Sequence, residues 1–151
     1  MSKKKAKLFC KETKIKDLKL FYLWVNDPLV RRNALNTKSI SWNSHQKWFK
    51  KKIKDKKAKL YIFKNKKIEV GQVRFEKKKK FVIINYSVCK KFRGKGLSKK
   101  MLSHTIKKYR PNRGTVMLGK VKPKNLRSIK VFTSLGFKSK LNKIYYFKKK
   151  Y

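Results

Sequence analysis

The chain has 151 residues, with 48 Lys+Arg against 6 Asp+Glu and a formal net charge of +42. Its 40% hydrophobic and 13% aromatic content supplies a core and excludes disorder through lack of apolar material. No apolar run approaches the roughly 18–20 residues of a membrane span, and the basic start has no secretory h-region.

One domain over residues 1–151 is the default at this length. Cys10 and Cys89 are the two cysteines, too few for a disulfide framework or a zinc site, so no metal is expected. A soluble cytoplasmic protein, monomeric or homodimeric, remains. The charge attracts polyanions, but only seven of the basic residues are arginine. Lysines scattered over every segment make a diffuse field, whereas base reading favours the arginine fork. Nucleic acid is therefore expected only through non-specific electrostatics, and a bias towards lysine gives the same picture.

Ala6–Cys10 reads as a first strand. Asp17 is placed to cap a helix with Leu18, Phe21, Tyr22 and Val25 at helical spacing. Asn26-Asp27-Pro28 breaks that helix, and Leu29 to Trp42 reads as irregular. Ser44 opens a second helix, with Trp48, Phe49, Lys52 and Ile53 on one side. From Ala58 the period changes to two. Leu60–Phe63, Ile68–Phe75 and Phe81–Val88 read as an antiparallel meander. A third helix follows Gly96, with Leu97, Met101, Leu102, Thr105, Ile106 and Tyr109 on its apolar side and His104 facing away. Thr115–Val121 is the next strand. Asn125 caps a fourth helix that Gly136 ends, and two short strands close the chain. The order describes an α/β (α+β) domain.

The chemistry concentrates at Arg93-Gly94-Lys95-Gly96, between a strand and a helix. Glycines let the backbone approach a ligand, and a helix start offers unpaired N–H donors with a positive dipole end. A diphosphate suits such a turn, with Arg93 and Lys95 adding charge; a simple tight turn would carry the same residues. A dinucleotide fold wants a third glycine and an acidic residue about 20 positions on. The chain has no Asp or Glu after Gly96. The Gly-Lys-Ser/Thr ending of a Walker loop is absent too.

At this junction the sequence resembles the GNAT-type, acetyl-CoA-dependent N-acetyltransferases. Their Arg/Gln-x-x-Gly-x-Gly/Ala is matched by Arg93-Gly94-Lys95-Gly96-Leu97-Ser98, with Ser98 in place of the last small residue. Asn125, Ser128-Ile129 and Leu135-Gly136-Phe137 resemble a second family helix. Trp24-x-Asn26-Asp27-Pro28-x-Val30-Arg31, Ile40, His45-x-x-Trp48-Phe49 and Gly71-Gln72-Val73-Arg74-Phe75 are similar to bacterial sugar-pathway members. Those acetylate the 4-amino group of a nucleotide-linked amino sugar on routes to pseudaminic acid and related surface sugars. Acetyltransferases of protein N-termini share the same region.

The resemblance implies a single GNAT-like domain with a central, mostly antiparallel sheet of about six or seven strands and about four helices. Acetyl-CoA is implied between the strand ending at Val88 and the strand Thr115–Val121. Its diphosphate would meet the amides of Arg93, Gly94, Lys95, Gly96, Leu97 and Ser98. Tyr86, Ser87 and Val88 would hold the pantetheine and polarise the thioester, with Asn125, Ser128 and Phe132 along the arm. Asn125 serves equally as a helix cap. Many members place a tyrosine seven residues after that Asn to protonate the leaving sulfur. Phe132 stands there and has no proton to give, leaving the step to water, to departure as a thiolate, or undone.

His45 is the candidate base near the acceptor, or else a packed or substrate-binding residue. Arg31, Asn33 and Arg74 are candidates for the phosphates or hydroxyls of an anionic nucleotide sugar. A protein or peptide amine is the alternative acceptor. A catalytically impaired, nucleic-acid-binding GNAT-fold protein is the other reading.

Overall fold

A computed structural model describes residues 8–151 of the chain. Ala6 and Lys7, in the expected first strand, lie outside the described residues; the strand runs Leu8–Glu12 (β1). Helices Leu18–Val25 (α1), Pro28–Asn33 (α2) and Trp42–Lys54 (α3) follow. Next come strands Ala58–Asn65 (β2), Ile68–Lys77 (β3) and Val82–Val88 (β4), then helix Leu97–Tyr109 (α4). Strand Val116–Val121 (β5), helix Leu126–Ser134 (α5) and the hairpin Lys138–Asn142 (β6) with Ile144–Lys150 (β7) complete the chain.

The seven strands form one sheet in the order β1-β2-β3-β4-β5-β7-β6. Every pairing is antiparallel except β4 with β5. The expected mixed, mostly antiparallel sheet is therefore the one observed, with five helices among the described residues instead of about four.

The additional helix is α2, inside the stretch read as irregular. Pro28 sits in its first turn, and the Asp27 carboxylate accepts from the amides of Leu29 and Val30 at 3.0 and 3.3 Å. Proline ends one helix and starts another because its missing N–H is no loss at N1. Two caps also differ from expectation. Ser41, not Ser44, opens α3 by accepting from Ser44 N at 3.2 Å. Asp17 precedes α1 but gives it no side-chain cap; its carboxylate instead accepts from Lys14 N at 2.8 Å, bracing the preceding 3-10 turn.

The sheet is covered on both faces, as alternation in β3 requires. Val73 and Phe75 point to the α4–α5 side, into a core with Met101, Leu102, Met117, Phe132 and Phe147. On the opposite side α1 and α3 bury Phe21, Trp24 and Phe49 against Ala58, Leu60 and Ile62 of β2. Full burial of each such side chain contributes about 1.5–3 kcal/mol.

The feature that positions the site lies at the sheet centre. Parallel β4 and β5 pair only over Val82–Ile84 and Met117–Gly119. Among the described residues, Asn85 to Val88 then keep β3 as their only partner strand. An opening between β4 and β5 results, with the α4 and α5 starts beside it.

Candidate active site

A cleft of about 490 Å³ occupies this opening and continues to the α1–α3 face. Val88, Arg93, Gly94 and Ser98 line one end, Asn125, Ser128 and Phe132 a second side, and Trp24, Val30 and Trp48 the third.

The glycine turn has the geometry of an anion cradle. Gly94 and Gly96 take φ of +74° and +68°, and a Cβ on either would meet nothing within 4 Å. Their side-chain directions therefore face open space. Among the described residues, no backbone carbonyl accepts from Gly94, Lys95 or Gly96. Leu97 and Ser98 begin α4, where helical geometry leaves amides without an intrahelical acceptor.

Arg93 corrects one expectation. Its Nη2 donates to Asp27 Oδ1 at 2.7 Å and its Nε to the Val88 carbonyl at 3.0 Å. Its amide points to Lys90 O at 3.4 Å. Two of the three guanidinium nitrogens thus tie the turn to β4 and the α1–α2 junction, and the amides without a backbone acceptor begin at Gly94. Burial raises the Asp27 carboxyl, but Arg93 and the two α2 amides outweigh that and leave it below its ordinary value. Lys95, Gly96 and Leu97 lie outside the cleft lining: the Lys95 ammonium stands over the Phe92 ring at 5.4 Å, and Leu97 packs on the core.

On the second side, Asn125 Oδ1 accepts from Ser128 N at 3.3 Å as the cap of α5. Tyr86 reaches over from β4, its hydroxyl 2.7 Å from Ser128 Oγ. Phe132 is only 2% exposed, stacked on Phe147 and edge-on to Tyr86. The end of its ring fills the space left by the absent side chain of Gly119. It forms the floor of the cleft.

The opposite face of β3 and β4 carries a polar ladder in which Gln72 and Asn85, given no role from the sequence, join Ser87 and Arg74. Gln72 is only 8% exposed. Its Nε2 donates to Ser87 Oγ at 3.2 Å and approaches Asn85 Oδ1 at 3.5 Å, while its Oε1 has no partner among the described residues. Lys120 and Arg127 also line the cleft without having been anticipated. The signal for Gln72 was strand alternation, which sets it beside Arg74 and opposite Ser87 and Asn85. Arg74 lies 5.0 Å from the Trp48 ring and pairs with Glu76 at 2.7 Å.

The α2 wall is built by backbone contacts. Arg31 Nε donates to Val25 O at 2.6 Å and its Nη1 to Asn36 O and Lys38 O. Asn26 exchanges hydrogen bonds with Ile40, at 3.0 and 2.8 Å. Asn33 lines the cleft, half-buried. Arg31 is thus chiefly a loop staple, with Nε and Nη1 committed to backbone carbonyls and Nη2 left without a partner among the described residues.

His45 does not sit as a base should. It is 1% exposed, its Nε2 lies 3.1 Å from the Leu18 carbonyl, and Tyr22, Trp42, Trp48 and Phe49 surround its ring. Burial lowers its pKa despite the Leu18 bond, so the ring is a neutral donor there. His45 lines the cleft, but its Nε2 proton is given to Leu18 and its ring is packed among four aromatic rings, leaving Nδ1 as the one nitrogen that could accept a proton.

The profile of the acetyltransferase (GNAT) domain matches residues 8–138. The chain belongs to the GNAT acetyltransferase family. No curated protein matches at a significant level, but solved structures share this GNAT fold across nearly its whole length. A domain from Methanocaldococcus jannaschii has a TM-score of 0.81 at 20% identity, covering 97% of this chain and 99% of its own. Spermidine N-acetyltransferase from Vibrio cholerae, in complex with CoA and spermine, gives 0.80 at 12% identity, covering 93% and 92%. A ribosomal L7/L12 alpha-N-protein acetyltransferase with coenzyme A gives 0.79 at 16%, covering 95% and 93%. Among the described residues no helix is long and apolar enough to cross a membrane, and no cluster of three His, Cys, Asp or Glu could hold a metal.

Proposed function

We propose that residues 1–151 act as one domain that moves the acetyl group of acetyl-CoA to the primary amine of an anionic small molecule, of the nucleotide-linked amino-sugar class. The observation that carries this reading is a cleft whose charged lining is entirely cationic, opening beside a turn with unpaired amides. Arg31, Arg74, Arg93, Lys120 and Arg127 line it, and no carboxylate does.

The acidic residues can be followed one by one. Glu12, Asp17, Asp27, Asp55, Glu69 and Glu76 pair with Lys59, Lys11, Arg93, Lys52, Lys64 and Arg74 respectively. These are the chain's 6 Asp+Glu, so residues 1–7 hold none. Nothing here offers a polyamine its counter-charge, and a cationic wall disfavours a basic peptide. An acceptor with phosphates is drawn in by the same field.

In this reading the amides from Gly94 to Ser98 grip the diphosphate, and the thioester lies along Tyr86–Val88. Asn125 holds the pantetheine arm, with Ser128 and Phe132 beneath it. The acceptor enters from the ladder of Gln72, Arg74, Asn85 and Ser87, with Asn33 on the facing wall. The neutral amine attacks the carbonyl carbon in a ternary complex, where proximity supplies much of the rate. Preorganised N–H donors stabilise the oxyanion, usually the largest single effect in acyl transfer.

The test is thiol release from acetyl-CoA with three acceptors: a UDP-linked 4-amino sugar, spermidine and an uncharged N-terminal peptide. The sugar nucleotide is expected to exceed spermidine in kcat/KM by about 100-fold at low salt, with the gap narrowing as salt rises. Faster turnover of spermidine overturns the acceptor assignment.

A further inference from the structure

The collapse of the tetrahedral intermediate leaves a thiolate on one side and a surplus proton on the new amide nitrogen. Phe132 has no proton to move, and His45 packs with Trp48 and Phe49 on the α1–α3 face of the sheet, the opposite face from Tyr86 and Phe132. Resting on the acyl-transfer reading above, we propose that the Tyr86 hydroxyl, coupled to Ser128, relays the proton to the departing sulfur.

Three observations place the relay. Tyr86 and Ser128 both line the cleft, on the two elements that flank the opening between β4 and β5. Their oxygens are 2.7 Å apart, short enough for either to donate to the other. The Tyr86 ring meets Phe132 edge-on, with centroids 5.9 Å apart, so a hydroxyl-bearing ring adjoins the residue that stands where the family's usual acid is missing. The remaining hydroxyls lining the cleft belong to Ser44, Ser87, Ser98 and Ser128, all much weaker acids than a phenol. Lys120 lines it as well, but β5 alternation turns it from the side on which Met117 and Val121 meet Phe132.

Burial pushes the Tyr86 hydroxyl up to about 12, against the opposing pull of Ser128. A phenol of that strength does not ionise in a working enzyme. It functions by passing one hydrogen on as it receives another.

The step balances without any change in the protein. The amine nitrogen bonds to the carbonyl carbon, and the carbon–sulfur bond breaks with its electron pair left on sulfur. Tyr86 gives its hydroxyl hydrogen to sulfur and takes the one on Ser128. Ser128 is refilled by the proton shed from nitrogen, carried through a cleft water. Amide and coenzyme A thiol are the products.

The experiment uses the full chain with acetyl-CoA and whichever of the three acceptors above turns over fastest. Tyr86→Phe keeps the ring and its packing. It is expected to lower kcat by about 100-fold, the low end of the usual yield of positioned proton transfer, with KM for acetyl-CoA within twofold. Ser128→Ala is expected to give a smaller loss, because water can fill the gap. The decisive readout is kcat in H2O/D2O mixtures. The wild type should show a curved dependence from more than one moving proton, and Tyr86→Phe should lose the curvature. A kcat within twofold of wild type in Tyr86→Phe, or an unchanged dependence on deuterium, overturns the relay alone. A wild type that binds acetyl-CoA yet releases no thiol with any of the three acceptors overturns both the relay and the acyl-transfer reading.

Discussion

Gly71→Ala is expected to cost at least about 3 kcal/mol, at or beyond the upper end of ordinary overpacking, and Gly71→Val to leave no cooperative unfolding transition at 37 °C. A Cβ at Gly71 would collide with the Ser87 carbonyl oxygen and would stand 3.0 Å from Met101 Sδ and 3.2 Å from Val88 Cα. Two of those three atoms are backbone, and they belong to the strand that forms one wall of the cleft. Relief would require β3 and β4 to part where Gly71 pairs with Val88. Gly119 offers the contrast. A Cβ there meets the Phe132 ring, with Cε1 and Cε2 at 2.7 and 2.9 Å, and a side chain yields more readily than a strand. Thermal or urea unfolding of the two alanine variants should rank Gly71→Ala as the worse. The reverse order would mean that β3 and β4 separate more easily than their pairing suggests.

Phe132→Ala is expected to lose about 3–5 kcal/mol, the usual cost of removing a buried phenyl ring. The ring stacks on Phe147 with centroids 5.4 Å apart and meets Phe137 edge-on at 5.1 Å. It also fills the hollow over Gly119, and its loss would join that hollow to the cleft. Adding Gly119→Ala to Phe132→Ala should therefore cost far less than it does in the wild type, because the clash is gone; neighbours that share a cavity are not additive. A double-mutant cycle in urea checks this. Strict additivity would show that the ring and the glycine do not share their space. A phenylalanine here consequently has a structural reason, independent of the proton it lacks.

Much of the fold was legible because periodicity and punctuation agreed. The meander, the α4 stripe and the Asn125–Gly136 helix each had an apolar pattern with a stop. The α2 helix escaped because six residues are too few for a periodic pattern, although the Asp27-Pro28 cap and N1 signal were present. Of the site, the glycine turn and Asn125 could be read since local backbone chemistry dictates them. The roles of Arg93 and His45 depend on partners 66 and 27 residues away, and only folding reveals that their donors are already engaged. Gln72 was legible only as part of the Gly71–Phe75 resemblance, with no role of its own. Its meaning comes from Ser87 and Asn85 on the neighbouring strand.

Titration of acetyl-CoA into the wild type and Gly96→Asp, followed by calorimetry at moderate salt, tests the diphosphate cradle most directly. A side chain at position 96 enters open space, so the variant should fold, with modest strain at a φ of +68° that aspartate tolerates better than most residues. Its carboxylate would stand beside the amides that the diphosphate needs. The account predicts clear one-to-one binding by the wild type and an affinity at least about 100-fold weaker in the variant, the value of roughly two charge-assisted hydrogen bonds. Equal affinity in the two proteins would place the diphosphate elsewhere and contradict the site.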